Sequence, residues 1–231
     1  MTLTRYGFRE WGGGAVIAVL LMCGALWIGR GGFPLVPWIV CPLVTLIYVA
    51  VALFFRNPRR TMPTDADALI CPADGVVKDI AVVDFDQAPF NGKALRIGIF
   101  LSVLDVHVNR ASADVEITDV SYRPGRFLDA RHPDCAKLNE AMTIAGYATL
   151  KGERFPMAIR QVSGAIARRI VCPVVAGRKL KKGEIYGMIK FGSRTELYLP
   201  ADGFEAAVEI GQKVRGGSMI LARKSAAEQK A

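Results

Sequence analysis

The chain has 231 residues, 52% of them hydrophobic, and a net charge of +9, a length that holds one soluble domain plus membrane segments. Its five cysteines, Cys23, Cys41, Cys71, Cys135 and Cys172, are odd in number and form no C-x-x-C, which argues for reduced thiols facing the cytosol and against a disulfide framework or a zinc site. The basic excess comes without an aromatic-interleaved repeat or any nucleic-acid signature, so no nucleic-acid partner is expected.

Residues 12–29 and 33–55 carry no charge, and each run is long enough to cross a hydrocarbon core as a helix. Only Arg30-Gly31-Gly32 separates them, which predicts a tight α-helical membrane hairpin, or a re-entrant second segment in view of Pro34, Pro37 and Pro42. A cleaved signal peptide is disfavoured, since no polar mature sequence follows the first run. Arg5 and Arg9 precede the hairpin and Arg56, Arg59 and Arg60 follow it, so both ends, and the domain beyond, are expected on the cytoplasmic side of the cell membrane. The basic exit also suits anionic lipid headgroups.

Beyond the hairpin the pattern is mainly β. Residues 95–101, 115–122, 156–162, 166–172 and 184–191 read as strands, and one helix is expected near residues 129–142. Pro-Ala-Asp-Gly occurs twice, at residues 72–75 and 200–203, and with the Gly-rich hairpin at 211–217 it suggests a barrel-sandwich, lipoyl-like β domain with few helices. The expected organisation is an anchor over residues 1–60 and a β domain over residues 61–231. A lipoyl-like carrier would need a lysine in a Met-Lys-Met or Asp-Lys-Ala setting, and neither occurs. A membrane adaptor without catalytic activity stays open.

Candidate chemistry is sparse. The chain has two histidines. His132 lies in a polar, turn-rich stretch and reads as surface, which leaves His107 as the general base available near neutral pH. Asp105, two residues away and on the same face of an extended chain, is placed to orient it, and Asp74 in the first Pro-Ala-Asp-Gly turn is a second candidate carboxylate. Two isolated histidines give no metal site. Gly192-Ser193 reads as a turn between strands, or as a place where a serine hydroxyl attacks the preceding, unhindered glycine carbonyl.

Several motifs coincide in order and spacing: Phe54-Phe55-Arg56-Asn57-Pro58-Arg59-Arg60, Cys71-Pro72-Ala73-Asp74-Gly75, Asp105-Val106-His107-Val108-Asn109-Arg110, Gly164-Ala165-Ile166-Ala167-Arg168-Arg169-Ile170 and Phe191-Gly192-Ser193-Arg194. Together they resemble the short form of phosphatidylserine decarboxylase over nearly the whole chain. The resemblance implies a proenzyme that cuts itself between Gly192 and Ser193 by an Asp74–His107–Ser193 arrangement. The products are a β chain of residues 1–192 and an α chain of residues 193–231, which stay associated. Ser193 would become a covalent pyruvoyl cofactor that forms a Schiff base with the substrate amine.

The implied reaction converts phosphatidylserine to phosphatidylethanolamine at the cell membrane, with archaetidylserine or another serine phospholipid as the alternative substrate. Longer family members carry two histidines near His107. Here the second position falls close to Arg110, so His107 serves both tasks or the second falls to Asp105 or Arg110. Arg56, Arg59, Arg60 or Lys78 would hold the phosphodiester. A monomer and a homo-oligomer are both open.

Overall fold

In the computed structural model, residues 1–132, 134–165, 169–190 and 192–225 are described, and the chain divides into two compact units, Met1–Arg59 and Arg60–Ala231. In the first unit, strand β1 (Thr2–Leu3) and a 3-10 turn (Arg5–Gly7) lead into helix α1 (Phe8–Arg30), then helix α2 (Leu35–Phe54) and strand β2 (Arg56–Asn57), which pairs back onto β1. The helices run antiparallel. Gly14 lies beside Tyr48, Thr45 donates to the Met22 sulfur at 3.8 Å, and Gly29 packs on Pro37 so closely that a Cβ there would sit 2.8 Å from the ring. The second helix is continuous through Pro42, so it is a full span in length rather than a broken one. Mean hydropathies of 2.0 and 2.3 and mostly exposed apolar side chains make both helices long and apolar enough to cross a bilayer.

The second unit is mainly β, as the alternating pattern predicts. Its elements are β3 (Ala68–Ile70), β4 (Gly75–Phe85), β5 (Gly92–Leu101), β6 (Val108–Arg110), β7 (Asp114–Arg123), α3 (Cys135–Leu138), β8 (Ala141–Leu150), β9 (Glu153–Val162), β10 (Arg169–Val171), β11 (Lys179–Leu180), β12 (Ile185–Lys190), β13 (Ser193–Pro200), β14 (Phe204–Ala206), β15 (Lys213–Val214) and β16 (Ile220–Lys224). An eight-stranded sheet runs β11-β7-β8-β9-β13-β5-β4-β15, with every pair antiparallel. Two three-stranded sheets, β10-β12-β6 and β14-β16-β3, complete the unit.

Strand alternation puts Leu197 and Leu199 of β13 into the main core with Ile97, Ile99, Leu101, Ile144 and Ile159, whereas Tyr198 joins Phe85, Phe90 and Ala158 on the other face. Both faces of β13 are therefore buried, and its polar residues must find partners inside the protein. Arg194 does so, pairing with Glu196 at 2.7 Å and with Asp79 of β4. Glu196 in turn accepts from Tyr198 at 2.6 Å.

One sequence expectation is overturned. The helix near residues 129–142 is reduced to the single turn Cys135–Leu138, and from Ala141 the chain is already β8. The cause is local competition for backbone donors. Asp129 takes the Arg131 N–H at 2.9 Å through its side chain and the His132 N–H at 2.8 Å through its carbonyl, and His132 Nδ1 accepts the Asp134 N–H at 3.2 Å. Of the strand expected over 166–172, the described part is Arg169–Val171. Ile166, Ala167, Arg168 and Phe191 lie outside the described residues, and Pro133 does too.

Candidate active site

Gly192 and Ser193 stand where the chain leaves the small β10-β12-β6 sheet and enters the middle of the large one. Gly192 has φ +66°, in the left-handed region that glycine adopts without strain. Ser193 begins β13, its Cα opposite Leu101 of β5. The side chain is fully buried, and Oγ makes no hydrogen bond among the described residues.

His107 reaches this dipeptide from the end of β6. Its Nε2 accepts the Gly192 N–H at 3.2 Å, while Nδ1 lies 2.9 Å from the Asp105 carbonyl oxygen. With Nδ1 carrying the proton to that carbonyl, the Nε2 lone pair faces the dipeptide. The orienting group is thus the main chain of Asp105. The Asp105 carboxylate turns back to accept the Ser102 N–H at 2.8 Å and its hydroxyl at 2.7 Å. The expectation that this carboxylate orients the ring is corrected accordingly. Side chains two apart in an extended chain share a face, but residues 102–105 form a tight turn closed by the Asp105 N–H on the Ser102 carbonyl.

Asp74 lies at the start of the first Asp-Gly turn with both oxygens engaged, one by Arg60 at 2.6 Å and the other by the Gly216 N–H at 2.8 Å. Burial raises its pKa above the ordinary carboxylate value, with Arg60 opposing and the nearby Asp105 reinforcing the shift. Arg110 faces the same group: burial and the Arg60 charge lower its pKa, and Asp74 raises it. Arg60, Asp74, Asp105 and Arg110 therefore form one electrostatic cluster by β6, the strand that follows His107. Arg60, expected as a phosphodiester ligand, is spent on Asp74. Lys78 is exposed, its Nζ 5.9 Å from the Phe100 ring centroid, and His132 is exposed as expected.

What holds His107 against β13 was not apparent from the sequence. Asn109, on β6, donates to Thr195 Oγ1 of β13 at 2.9 Å and accepts from Gln161 of β9 at 2.8 Å, so a buried polar chain locks three strands in register. Gly164 is a second such element. A Cβ there would lie 2.4 Å from the Gly192 carbonyl oxygen, so only glycine leaves that carbonyl its place. Ser163 is a third. The β9–β13 register, extended one residue past Val162↔Arg194, puts it opposite Ser193, and its hydroxyl is likewise buried and unbonded among the described residues. Gly164 opens the motif of residues 164–170, but nothing in the sequence pairs it with Gly192.

A cavity of about 300 Å³ opens at this point, lined by Gly192, Phe100, Ser102, Val103, Ala130 and Arg131 among others. A larger one, about 840 Å³, opens on the sheet face that carries Tyr198, beside Arg96, Arg123 and Arg160. The smaller is the one that reaches Gly192. Among the described residues no three His, Cys, Asp or Glu side chains converge as metal ligands would. Burial pushes the Cys71 thiol up to about 12, which favours its protonated form.

Residues 47–222 match the family model for phosphatidylserine decarboxylase. The chain is similar to the phosphatidylserine decarboxylase proenzyme of Carboxydothermus hydrogenoformans, 43% identical over 210 residues that cover 90% of this chain and 91% of the relative. It is also similar to that of Rhodopirellula baltica, 43% identical over 80% of this chain and 78% of the relative, and to that of Pelobacter propionicus, 42% identical over 78% and 80%. With its apolar helical pair, its antiparallel β unit and this breadth of similarity, the chain belongs to the phosphatidylserine decarboxylase family.

Proposed function

We propose that the chain is a membrane-anchored proenzyme that cuts itself between Gly192 and Ser193, converts Ser193 to a pyruvoyl group, and then decarboxylates phosphatidylserine to phosphatidylethanolamine. The observation that carries this reading is the approach of His107 Nε2 to the Gly192 N–H beside a buried, unbonded Ser193 hydroxyl.

In self-cleavage, His107 exchanges the Gly192 N–H for the Ser193 hydroxyl and takes its proton. Oγ adds to the Gly192 carbonyl carbon, and the Gly192–Ser193 C–N bond breaks as nitrogen receives the proton, leaving an ester. Ser163 has an unspent hydroxyl proton across the strand pair and can hold Ser193 Oγ in place. Loss of the Ser193 Cα proton with cleavage of the Cβ–O bond frees the Gly192 carboxylate, and water then replaces nitrogen, released as ammonia, at the former Cα. The buried, glycine-lined position of Ser193 fits the resulting group, which is smaller by the lost hydroxyl. A pyruvoyl group supplies an electrophilic ketone that takes up the electron pair left when carbon dioxide departs.

The cut leaves both fragments held. The stretch from residue 193 onward keeps β13 between β9 and β5 and β16 beside β3, which supports continued association of the α and β chains. The hairpin brings the enzyme to a diacyl lipid that is almost never free in water, and the arginines at its ends favour a cytoplasmic β unit.

On a denaturing gel and by intact mass, wild type should appear as a large and a small fragment. Ser193→Ala and His107→Ala should stay intact. An intact wild-type chain with full decarboxylase activity would overturn the reading.

A further inference from the structure

We infer that the turn of residues 102–105 is a membrane-docking element, with Leu104 entering the interfacial layer of an anionic bilayer beside the mouth of the Gly192 cavity. The inference rests on the reading of the substrate as a membrane lipid. Leu104 is 83% exposed and Val103 45%, although they sit between fully buried Leu101 and buried Val106 and His107. The exposure is built in. Asp105 closes the turn through its N–H on the Ser102 carbonyl and its carboxylate on the Ser102 N–H and hydroxyl, so the tip cannot fold its leucine inward without breaking three hydrogen bonds.

The tip adjoins the chemistry. Val103 lines the cavity with Gly192, and its Cγ2 lies 3.9 Å from where a Gly192 Cβ would be. The facing segment brings Arg131 to the cavity, with exposed Arg126 and 41%-exposed Phe127 just before it, and Lys78 lies over Phe100 of the lining. Asp129 offsets one of these cations, and the Asp105 carboxylate is turned into its own turn. An apolar tip whose cavity is also lined by Arg131, with Lys78 over the Phe100 ring, suits an interface in which the tip meets acyl chains and the cations meet phosphates. A protein partner is disfavoured, because two residues are far short of the roughly 1,000 Å² a specific protein interface needs. A lipid whose acyl chains stay in the bilayer can present its headgroup to the cavity only if the mouth lies within a headgroup's length of the surface.

The test uses the full chain in vesicles of phosphatidylcholine and phosphatidylglycerol. In a background where Trp11, Trp27 and Trp38 are replaced by Phe, Leu104→Trp should fluoresce blue-shifted and lose about half its intensity with acyl-brominated lipids. A solvent-like, unquenched emission would overturn the inference. Separately, Leu104→Asp should raise KM for phosphatidylserine in vesicles about tenfold while leaving turnover of dihexanoyl phosphatidylserine below its micellar concentration unchanged. Equal loss on both substrates would place the effect in the cavity and overturn the docking role. Were neither protein to decarboxylate at all, the functional reading would fall, and the quenching result would still decide the docking.

Discussion

Gly164→Ala isolates the geometry on which the proposed self-cleavage depends. The added methyl would lie 2.4 Å from the Gly192 carbonyl oxygen, 3.2 Å from its carbon and 3.4 Å from the Ala130 methyl. Restoring ordinary contact requires the carbonyl, or the backbone at residue 164, to retreat by about 1 Å, a misplacement that costs on the order of 100-fold in a positioned reaction. That loss corresponds to about 2.7 kcal/mol in the barrier. Overpacking should also lower folding stability by about 1–3 kcal/mol, so rate and stability must be read separately. In a pulse-chase, conversion of the full-length chain to two fragments gives the rate, and a denaturant titration of the uncleavable Ser193→Ala chain with and without Gly164→Ala gives the stability. Gly13→Ala, at a position with nothing within 4 Å, should cleave at the wild-type rate. Wild-type kinetics in Gly164→Ala would refute the idea that this contact sets the reactive carbonyl.

Asp105→Asn should leave the cleavage rate within about threefold, because His107 Nδ1 is held by the main-chain carbonyl, while stability falls by about 1.5–3 kcal/mol with the charge-assisted bonds to Ser102. A hundredfold slowing would instead show that the carboxylate itself orients the imidazole. Arg194→Met removes the closest cation of the fully buried Glu196, leaving it Arg160 at 3.8 Å and the Tyr198 hydroxyl, and takes a partner from Asp79, so unfolding free energy should drop by about 3 kcal/mol. Adding Glu196→Gln should recover part of that loss, and failure to recover any would argue against a buried charge as the cause. Cys71, pushed up to about 12 by burial, has a thiolate fraction on the order of one in ten thousand at pH 8. Iodoacetamide should modify it only after denaturation, and native-state labelling at the unfolded rate would contradict the burial.

The parts of the fold legible in the sequence are those whose signal is local. Two uncharged runs of membrane-spanning length announce α1 and α2, and apolar alternation at residues 95–101 and 115–122 announces β5 and β7. The helix expected near residues 129–142 shrinks to Cys135–Leu138 because the polar side chains of this stretch compete for backbone donors. Asp129 and His132 instead bind nearby N–H groups and hold the chain in turns. The site was legible as a set of residues and illegible as a set of contacts. His107 and Gly192 are 85 positions apart, and Arg60 and Asp74 meet across 14. Only the strand register decides that Asp74 faces Arg60 and Gly216 and that a carbonyl, rather than a carboxylate, sits on His107 Nδ1.

The same register explains why a glycine faces a glycine at the proposed cut. Gly192 must take φ +66° to carry the chain from β12 into β13 while presenting its N–H to His107, and a left-handed residue with a side chain there would be strained. That conformation swings the Gly192 carbonyl toward the neighbouring strand, where Gly164 has no Cβ to block it. A side chain at either position would disturb the carbonyl, one through backbone angle and the other through contact. The nucleophile needs the opposite condition. Ser193 begins a strand buried on both faces and hydrogen-bonded to two neighbours, so its Oγ approaches from a fixed direction. A carbonyl held in a space that only glycine leaves before the bond, and a strand fixed by two neighbours after it, are what the proposed cut at this peptide bond requires.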